Sequence, residues 1–156
     1  NRQSRSKKKL EKNGKDALRI LGKLAKDKMY LLDSNILIGF LNGSQKEINW
    51  VVAEKQKGSF LSCSVISKIE TLSLYNLSED KIQDIEKFFN IFSQAYLSDE
   101  IVSLSARLRR NLKLSLGDAV VVATAISKRA TLVTNDKTLV KKVKNIVNVL
   151  SLSQFR

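Results

Sequence analysis

Four acidic residues occur where the surrounding sequence is apolar. Asp33 interrupts the run YLLDSNILIGFL, and Glu70 lies in SVISKIETL beside an apolar stripe. Asp118 begins the apolar stretch DAVVVATAI, and Asp136 follows TLVTN. A carboxylate is costly in apolar surroundings unless something satisfies its charge. Carboxylates that gather in one place raise each other's pKa values, and a hard divalent cation with oxygen ligands would relieve that repulsion.

The residue types of the sequence exclude several kinds of catalytic site. The sequence has no histidine and one cysteine, Cys63. Ser-His-Asp, Cys-His and histidine-based zinc chemistry are therefore excluded, and no intrachain disulfide can form. Catalysis, if present, must therefore rest on carboxylates, lysines, hydroxyls or an oxygen-bound metal. We expect Mg²⁺ or Mn²⁺ as the cofactor, and the single cysteine fits a cytoplasmic protein.

Short apolar runs alternate with helical patterns along most of the chain. Strands are predicted at YLL, FLSC, AYL, TLVT and IVNVL. Helices are predicted near residues 35–42, 45–57, 65–76, 80–93, 99–113, 118–129 and 136–142. Alternating strands and helices predict an α/β fold with a central parallel sheet of about five strands and helices on both faces. Ligands bind at the carboxyl ends of the strands in such sheets, and the four acids fall where they could converge on one such end.

Each acid also has an ordinary interpretation. Aspartate is a preferred helix N-cap, and Asp33, Asp118 and Asp136 could each begin a helix in that way. Glu70 could be a solvated residue on a helix. Capping does not explain why four acids should gather at one end of a sheet, so we favour a metal site.

The charge of the chain is strongly positive and concentrated at its start. The formal net charge is +13, and residues 1–29 hold 11 Lys/Arg against 3 Asp/Glu, a net of +8. A basic protein favours a polyanionic partner such as nucleic acid. We predict a basic arm with an amphipathic helix over residues 1–28 and a second domain over residues 29–156. No apolar run approaches the roughly 18 residues of a membrane span, so we expect no membrane partner.

Four segments resemble the motifs of a known family in order. LLDSNILIGFL, SVISKIETL, SLGDAVVVATAI and LVTNDKTL look like the four motifs of the PIN domain, in particular those of the VapC-type toxin ribonucleases. The resemblance covers about residues 29–150. It implies a three-layer α/β/α PIN-like domain and a metal-dependent endoribonuclease that is the toxin component of a toxin–antitoxin system.

The resemblance also implies roles for particular residues and partners. The acids that would bind the metal and catalyse the reaction are Asp33, Glu70, Asp118 and Asp136. The polar residues that would contact the substrate or support these acids are Ser34, Asn35 and Thr134. The implied partners are RNA, a second copy of the chain in a homodimer, and a cognate antitoxin.

The basic arm has two competing functional interpretations, and a third in which it is a remnant of how the chain was produced and has no role. Its segment DALRILGKLAKDK resembles the antitoxin arms that place an apolar helix in a groove of the toxin. An arm acting in this way, in cis or on a neighbouring subunit, would bring Arg19 or Lys23 near the acidic site. The arm could instead be a basic extension that binds RNA. A non-catalytic RNA-binding module with such an extension is the alternative function, and it would explain the charge but not the four acids.

Overall fold

Five short strands form the centre of the structure. The computed structural model describes residues 12–16 and 28–155. The strands are β1 (Met29–Leu32), β2 (Phe60–Ser64), β3 (Ser93–Ala95), β4 (Thr131–Val133) and β5 (Val149–Leu150). They form one sheet in the order β3-β2-β1-β4-β5, and every neighbouring pair is parallel. The predicted parallel sheet of five strands is therefore confirmed.

Helices connect the strands and cover both faces of the sheet. They are α2 (Ser34–Leu41), α3 (Gln45–Gln56), α4 (Val65–Leu72), α5 (Glu79–Phe89), α6 (Asp99–Leu112), α7 (Leu116–Ser127) and α8 (Lys137–Val143). Before the first strand, residues 12–16 form a helical segment, α1. A 3₁₀ turn at Leu152–Gln154 follows β5. None of the helices in the described ranges is long and apolar enough to cross a membrane.

Two apolar cores lie on opposite sides of the sheet. Successive strand side chains point to opposite faces, and β1 shows this directly. Leu31 packs in the core formed with α6, α7 and α8, whereas Leu32 packs in the core formed with α2 to α5. Leu132 and Val133 of β4 divide between the two cores in the same way. The three-layer α/β/α architecture is therefore confirmed.

Helix α7 begins two residues earlier than the sequence predicts. Ser115 is its N-cap, and the Ser115 Oγ accepts a hydrogen bond from the N–H of Asp118 at 3.1 Å. Asp118 therefore lies in the first turn of the helix and is not its cap. The next seven residues, from Ala119 to Ala125, are all buried, as the apolar sequence predicts.

Four other predicted boundaries are wrong. Helix α4 ends at Leu72 rather than near residue 76, where Asn76 has a left-handed backbone with φ of 59°. The third strand covers residues 93–95 rather than 95–97, because its partner β2 ends where Ala95 pairs with Ser64. Helix α5 consequently ends at Phe89 instead of continuing to residue 93. The fifth strand is limited to its last two predicted residues.

The predicted amphipathic helix of the basic arm lies mostly outside the described residues. Residues 12–16 are helical and exposed. Arg19 and Lys23, the two cations predicted to approach the acidic site, lie outside the described ranges, so their placement stays a prediction.

Candidate metal and catalytic site

Asp33 lies at the carboxyl end of the central strand and caps the helix that follows. Its N–H donates to the Val133 carbonyl at 3.0 Å, which extends the pairing of β1 with β4 by one residue. Its Oδ1 accepts from the N–H of Ser34 at 2.8 Å, at the start of α2. The capping interpretation is therefore correct for Asp33. The residue is also 6% exposed, which is unusual burial for a carboxylate whose only role is to cap a helix.

The second oxygen of Asp33 is held by two polar side chains. Its Oδ2 accepts from the Thr134 hydroxyl at 2.8 Å and from the Asn35 amide at 3.0 Å. Thr134 is fully buried directly after β4, and its Oγ1 also accepts from Asn35 Nδ2 at 3.0 Å. The structure thus places Ser34, Asn35 and Thr134 against Asp33, where they fix the direction of its carboxylate.

The orientation of the Asn35 amide is determined by a third contact. Its Oδ1 accepts from the N–H of Asn135 at 3.1 Å, so the oxygen must face that backbone group. Its nitrogen therefore faces Asp33 and Thr134 and acts as a donor to both. Since the flipped amide would lose these bonds, the orientation follows from the hydrogen-bond pattern.

Glu70 and Asp118 lie close enough to Asp33 to raise its pKa. Burial raises the pKa of Asp33 most strongly, and the negative charges of Asp118 and Glu70 raise that pKa further. Hydrogen bonds from Thr134 and Ser34 oppose the shift without cancelling it. Glu70 and Asp118, predicted from separate segments of the sequence, therefore both lie within electrostatic range of Asp33 at the carboxyl edge of the sheet.

A glycine next to Asp118 makes room for Glu70. A Cβ atom placed on Gly117 would lie 2.6 Å from the Glu70 Oε1, well inside van der Waals contact. The exposed Glu70 carboxylate thus lies over the backbone of the first turn of α7, one residue before Asp118. This contact joins α4 to α7 at the site.

Asp136 is held differently from the other three acids. It is the N-cap of α8, and its Oδ1 accepts from the N–H groups of Thr138 and Leu139 at 2.8 and 3.0 Å. Its own N–H donates to Thr134 Oγ1 at 3.1 Å, so Thr134 links it to Asp33. The capping interpretation is therefore correct for Asp136, which borders the group formed by the other three acids.

The donor set fits a hard divalent cation. No three Asp, Glu, His or Cys side chains within the described residues are positioned closely enough to enclose an ion by themselves. Mg²⁺ does not need such an enclosure, because it keeps several waters and binds proteins through one or two carboxylates. In the same ranges, no Lys or Arg forms a salt bridge with any of the four acids. Their charge is therefore available to a cation, which Asp33, Glu70 and Asp118 would hold with Asp136 beside them.

Two residues that the sequence analysis missed support the Thr134–Asp136 segment. Asn135 Nδ2 donates to Glu47 Oε1 at 3.0 Å, and its Oδ1 accepts from the N–H of Ser153 at 3.0 Å. Glu47 is 6% exposed and also accepts from the Ser44 hydroxyl. These bonds tie the segment to α3 and to the end of the chain. The pairing of Ser44 with Glu47 three residues later was a visible helix-start pattern, but no pattern linked it to Asn135.

Comparison with known proteins agrees with this geometry. The PIN domain family matches residues 30–145. The chain is similar in structure to a toxin–antitoxin complex from Klebsiella pneumoniae, with 25% identity, a TM-score of 0.66, and coverage of 79% of this chain and 97% of that one. It is also similar to VapBC-1 from nontypeable Haemophilus influenzae, with 20% identity, a TM-score of 0.67, and coverage of 80% and 98%. No curated protein matches the chain in sequence.

The family match covers most of the chain and settles its class. The chain belongs to the PIN-domain family, and the resemblance to that family stated from the four motifs is confirmed. A third structure with this fold is VapBC2 from Rickettsia felis bound to a DNA fragment from its promoter, with 22% identity, a TM-score of 0.65, and coverage of 78% and 97%.

Proposed function

We propose that the protein is a metal-dependent endoribonuclease and the toxin component of a toxin–antitoxin system. The observation that carries the proposal is the buried Asp33 carboxylate at the carboxyl edge of the sheet, within electrostatic range of Glu70 and Asp118. A bound Mg²⁺ or Mn²⁺ would activate a water and stabilise negative charge on the phosphodiester. The histidine-free sequence is compatible with this chemistry, because the ion replaces a general base.

The residues of the chain have distinct parts in this proposal. Asp33 presents a carboxylate in a fixed direction, because Ser34, Asn35 and Thr134 hold both of its oxygens. Glu70 and Asp118 add negative charge near Asp33. Their mutual repulsion favours cation binding, since each carboxylate gains when a positive ion enters. Asp136 borders the group from the start of α8.

RNA is the proposed substrate because the chain is basic and the resemblance is to ribonucleases. The proposed partners are a cognate antitoxin and a second copy of the chain. The antitoxin is supported by the similar structures, which are toxin–antitoxin complexes. Expression of the wild-type chain alone should slow the growth of a bacterial host, and expression of Asp33→Asn should not.

The central test compares Asp33→Asn with a matched exposed variant, Asp80→Asn on α5. Asparagine also caps helices, so Asp33→Asn keeps the start of α2 while it removes the charge. We expect Asp33→Asn to reduce RNA cleavage in Mg²⁺ by about a hundredfold or more. Asp80→Asn should cleave like the wild type, and EDTA should stop cleavage by both active proteins. If purified wild type binds RNA but never cuts it with added metal, the alternative of a non-catalytic RNA-binding module is correct.

A further inference from the structure

The positive charge of the described chain is concentrated in one helical layer. Residues 99–155, from the start of α6, contain ten Lys/Arg and four Asp/Glu, a net charge of +6, and two of the four acids belong to the candidate site. All ten cations are at exposed positions. Residues 28–98 contain seven Lys/Arg and eight Asp/Glu, a net charge of −1. The layer of α6, α7 and α8 is therefore basic, and the layer of α2 to α5 is not.

Four of these cations gather at the turn between α6 and α7. Arg109 Nε donates to the Leu114 carbonyl at 3.4 Å, and Lys142 Nζ of α8 donates to the Lys113 carbonyl at 3.2 Å. Arg109, Arg110 and Lys113 line an open surface cavity beside the turn. We name Arg109, Arg110, Lys113 and Lys142 the α6–α7 basic cluster.

The cations of this cluster form no salt bridge within the described part of the chain. No carboxylate there lies within salt-bridge distance of any of its four members. One or two cations at the end of α6 would be expected, because they stabilise the negative end of the helix dipole. Four cations from two helices exceed that need and repel each other, so an anionic partner would stabilise them.

The cluster lies next to the candidate site along the chain. Lys113 has a left-handed backbone with φ of 51°, which ends α6 and turns the chain toward α7. Leu114 is buried, and Ser115 caps α7 by bonding the N–H of Asp118. The turn that carries the cations therefore leads within five residues to an acid of the site. A strand of nucleic acid that crosses the acids can continue over this turn.

We propose that the α6–α7 basic cluster binds backbone phosphates of the RNA strand next to the bond that is cut. This proposal rests on the proposed ribonuclease function for the identity of the strand. Contacts of Lys and Arg with phosphates position a nucleic acid without reading its sequence. The cluster would therefore set the affinity and register of the RNA, while the choice of cleavage site comes from other contacts.

The test measures RNA binding without cleavage. The full-length Asp33→Asn protein, in EDTA, receives either the triple substitution Arg110→Gln, Lys113→Gln and Lys142→Gln or the control triple Lys46→Gln, Lys81→Gln and Lys87→Gln. Both triples remove three positive charges from exposed positions, so the net charge changes equally. Binding of a fluorescently labelled single-stranded RNA is followed by anisotropy over a range of salt concentrations.

We expect the cluster triple to lose about tenfold or more in affinity at low salt, and the control triple to lose much less. The slope of log affinity against log salt should fall by about 2 for the cluster triple, since each phosphate contact on a single strand contributes about 0.7. Equal losses for the two triples would overturn the proposal, and so would an affinity loss with an unchanged salt slope.

Two further measurements keep the outcome clear. If the cluster triple unfolds, Arg110→Gln alone is measured, and an unchanged salt slope in that variant overturns the proposal. Cleavage by the wild type is measured separately. If the wild type never cuts RNA but the salt slopes behave as expected, the ribonuclease function fails and the binding surface stands. If the wild type cuts RNA and both triples bind alike, the binding surface alone fails.

Discussion

Thr134 donates its hydroxyl hydrogen to Asp33 at 2.8 Å, across the ends of two neighbouring strands. The same hydroxyl accepts from the Asn35 amide and from the N–H of Asp136. One buried side chain thus contacts residues from the first and last motifs of the sequence. The two motifs are about a hundred residues apart in the sequence, but they lie side by side because β1 and β4 are adjacent in the sheet.

Thr134→Val and Thr134→Ser should differ in stability and in cleavage, because valine replaces the hydroxyl with a methyl group and serine keeps the hydroxyl. Valine has the shape of threonine, but it leaves the Asn35 amide and the Asp136 N–H without their acceptor. We expect Thr134→Val to lower the free energy of unfolding by about 2 kcal/mol and to weaken cleavage. Thr134→Ser keeps the hydroxyl and should stay close to the wild type in both. Urea denaturation and RNA cleavage check this, and equal behaviour of the two variants would contradict it.

Gly117→Ala should reduce activity without reducing stability. The new methyl group would meet Glu70 Oε1 at 2.6 Å and displace that carboxylate from its place beside Asp118. Alanine is favoured over glycine inside a helix by up to about 1 kcal/mol, so α7 itself should tolerate the change. We expect the melting temperature to hold while Mg²⁺-dependent cleavage falls. Unchanged cleavage would mean that the position of Glu70 does not matter to the reaction.

Asn135→Ala should destabilise the segment that carries Thr134 and Asp136. The change removes the amide that Glu47 binds and the oxygen that accepts from the Ser153 N–H. Because Glu47 is buried, we expect a loss of about 1–3 kcal/mol in the free energy of unfolding. Asn148→Ala, at an exposed position, is the matched control and should cost little. A double substitution with Glu47→Gln should cost less than the sum of the two single losses, since both changes act on one contact.

The parts of the fold that depend on local pattern could be predicted from the sequence. The buried sequence of α7 and the strand ends before Asp33 and Thr134 are visible as apolar runs, and they place the acids at one edge of the sheet. The third strand was misplaced because AYL is more apolar than the true strand SQA. Its position depends on where β2 ends, which is a property of the partner strand. The bond between Asn135 and Glu47 joins residues 88 positions apart, and no local pattern encodes it.

Removing the basic arm should show whether it inhibits the site or binds RNA. The deletion should end at residue 27, because the Lys28 carbonyl accepts from the Phe60 N–H at 2.9 Å at the start of the sheet. If the arm acts like an antitoxin arm through Arg19 or Lys23, cleavage should rise when it is deleted. If the arm binds RNA, affinity should fall and its dependence on salt should become shallower. An unchanged rate and affinity would exclude both interpretations.

The raised pKa of Asp33 predicts how stability should vary with pH in metal-free buffer. Burial and the charges of Asp118 and Glu70 raise the pKa of this carboxyl in the folded protein above its value in the unfolded chain. The folded state therefore binds the proton more tightly, so the Asp33 contribution to stability should improve as the pH falls through the raised pKa. Above that pKa the ionised carboxylate lowers the stability of the fold.

Asp33→Asn removes this dependence and provides the comparison. The free energy of unfolding of Asp33→Asn minus that of the wild type should be largest near neutral pH in EDTA. It should decrease toward mildly acidic pH, where the wild-type carboxyl becomes protonated. Changes in hydrogen bonding add a constant to this difference in the free energy of unfolding. The test is therefore how the difference varies with pH, rather than its size at one pH. Mg²⁺ should stabilise the wild type more than the variant at neutral pH. A difference that is flat with pH would show that the Asp33 pKa is not raised.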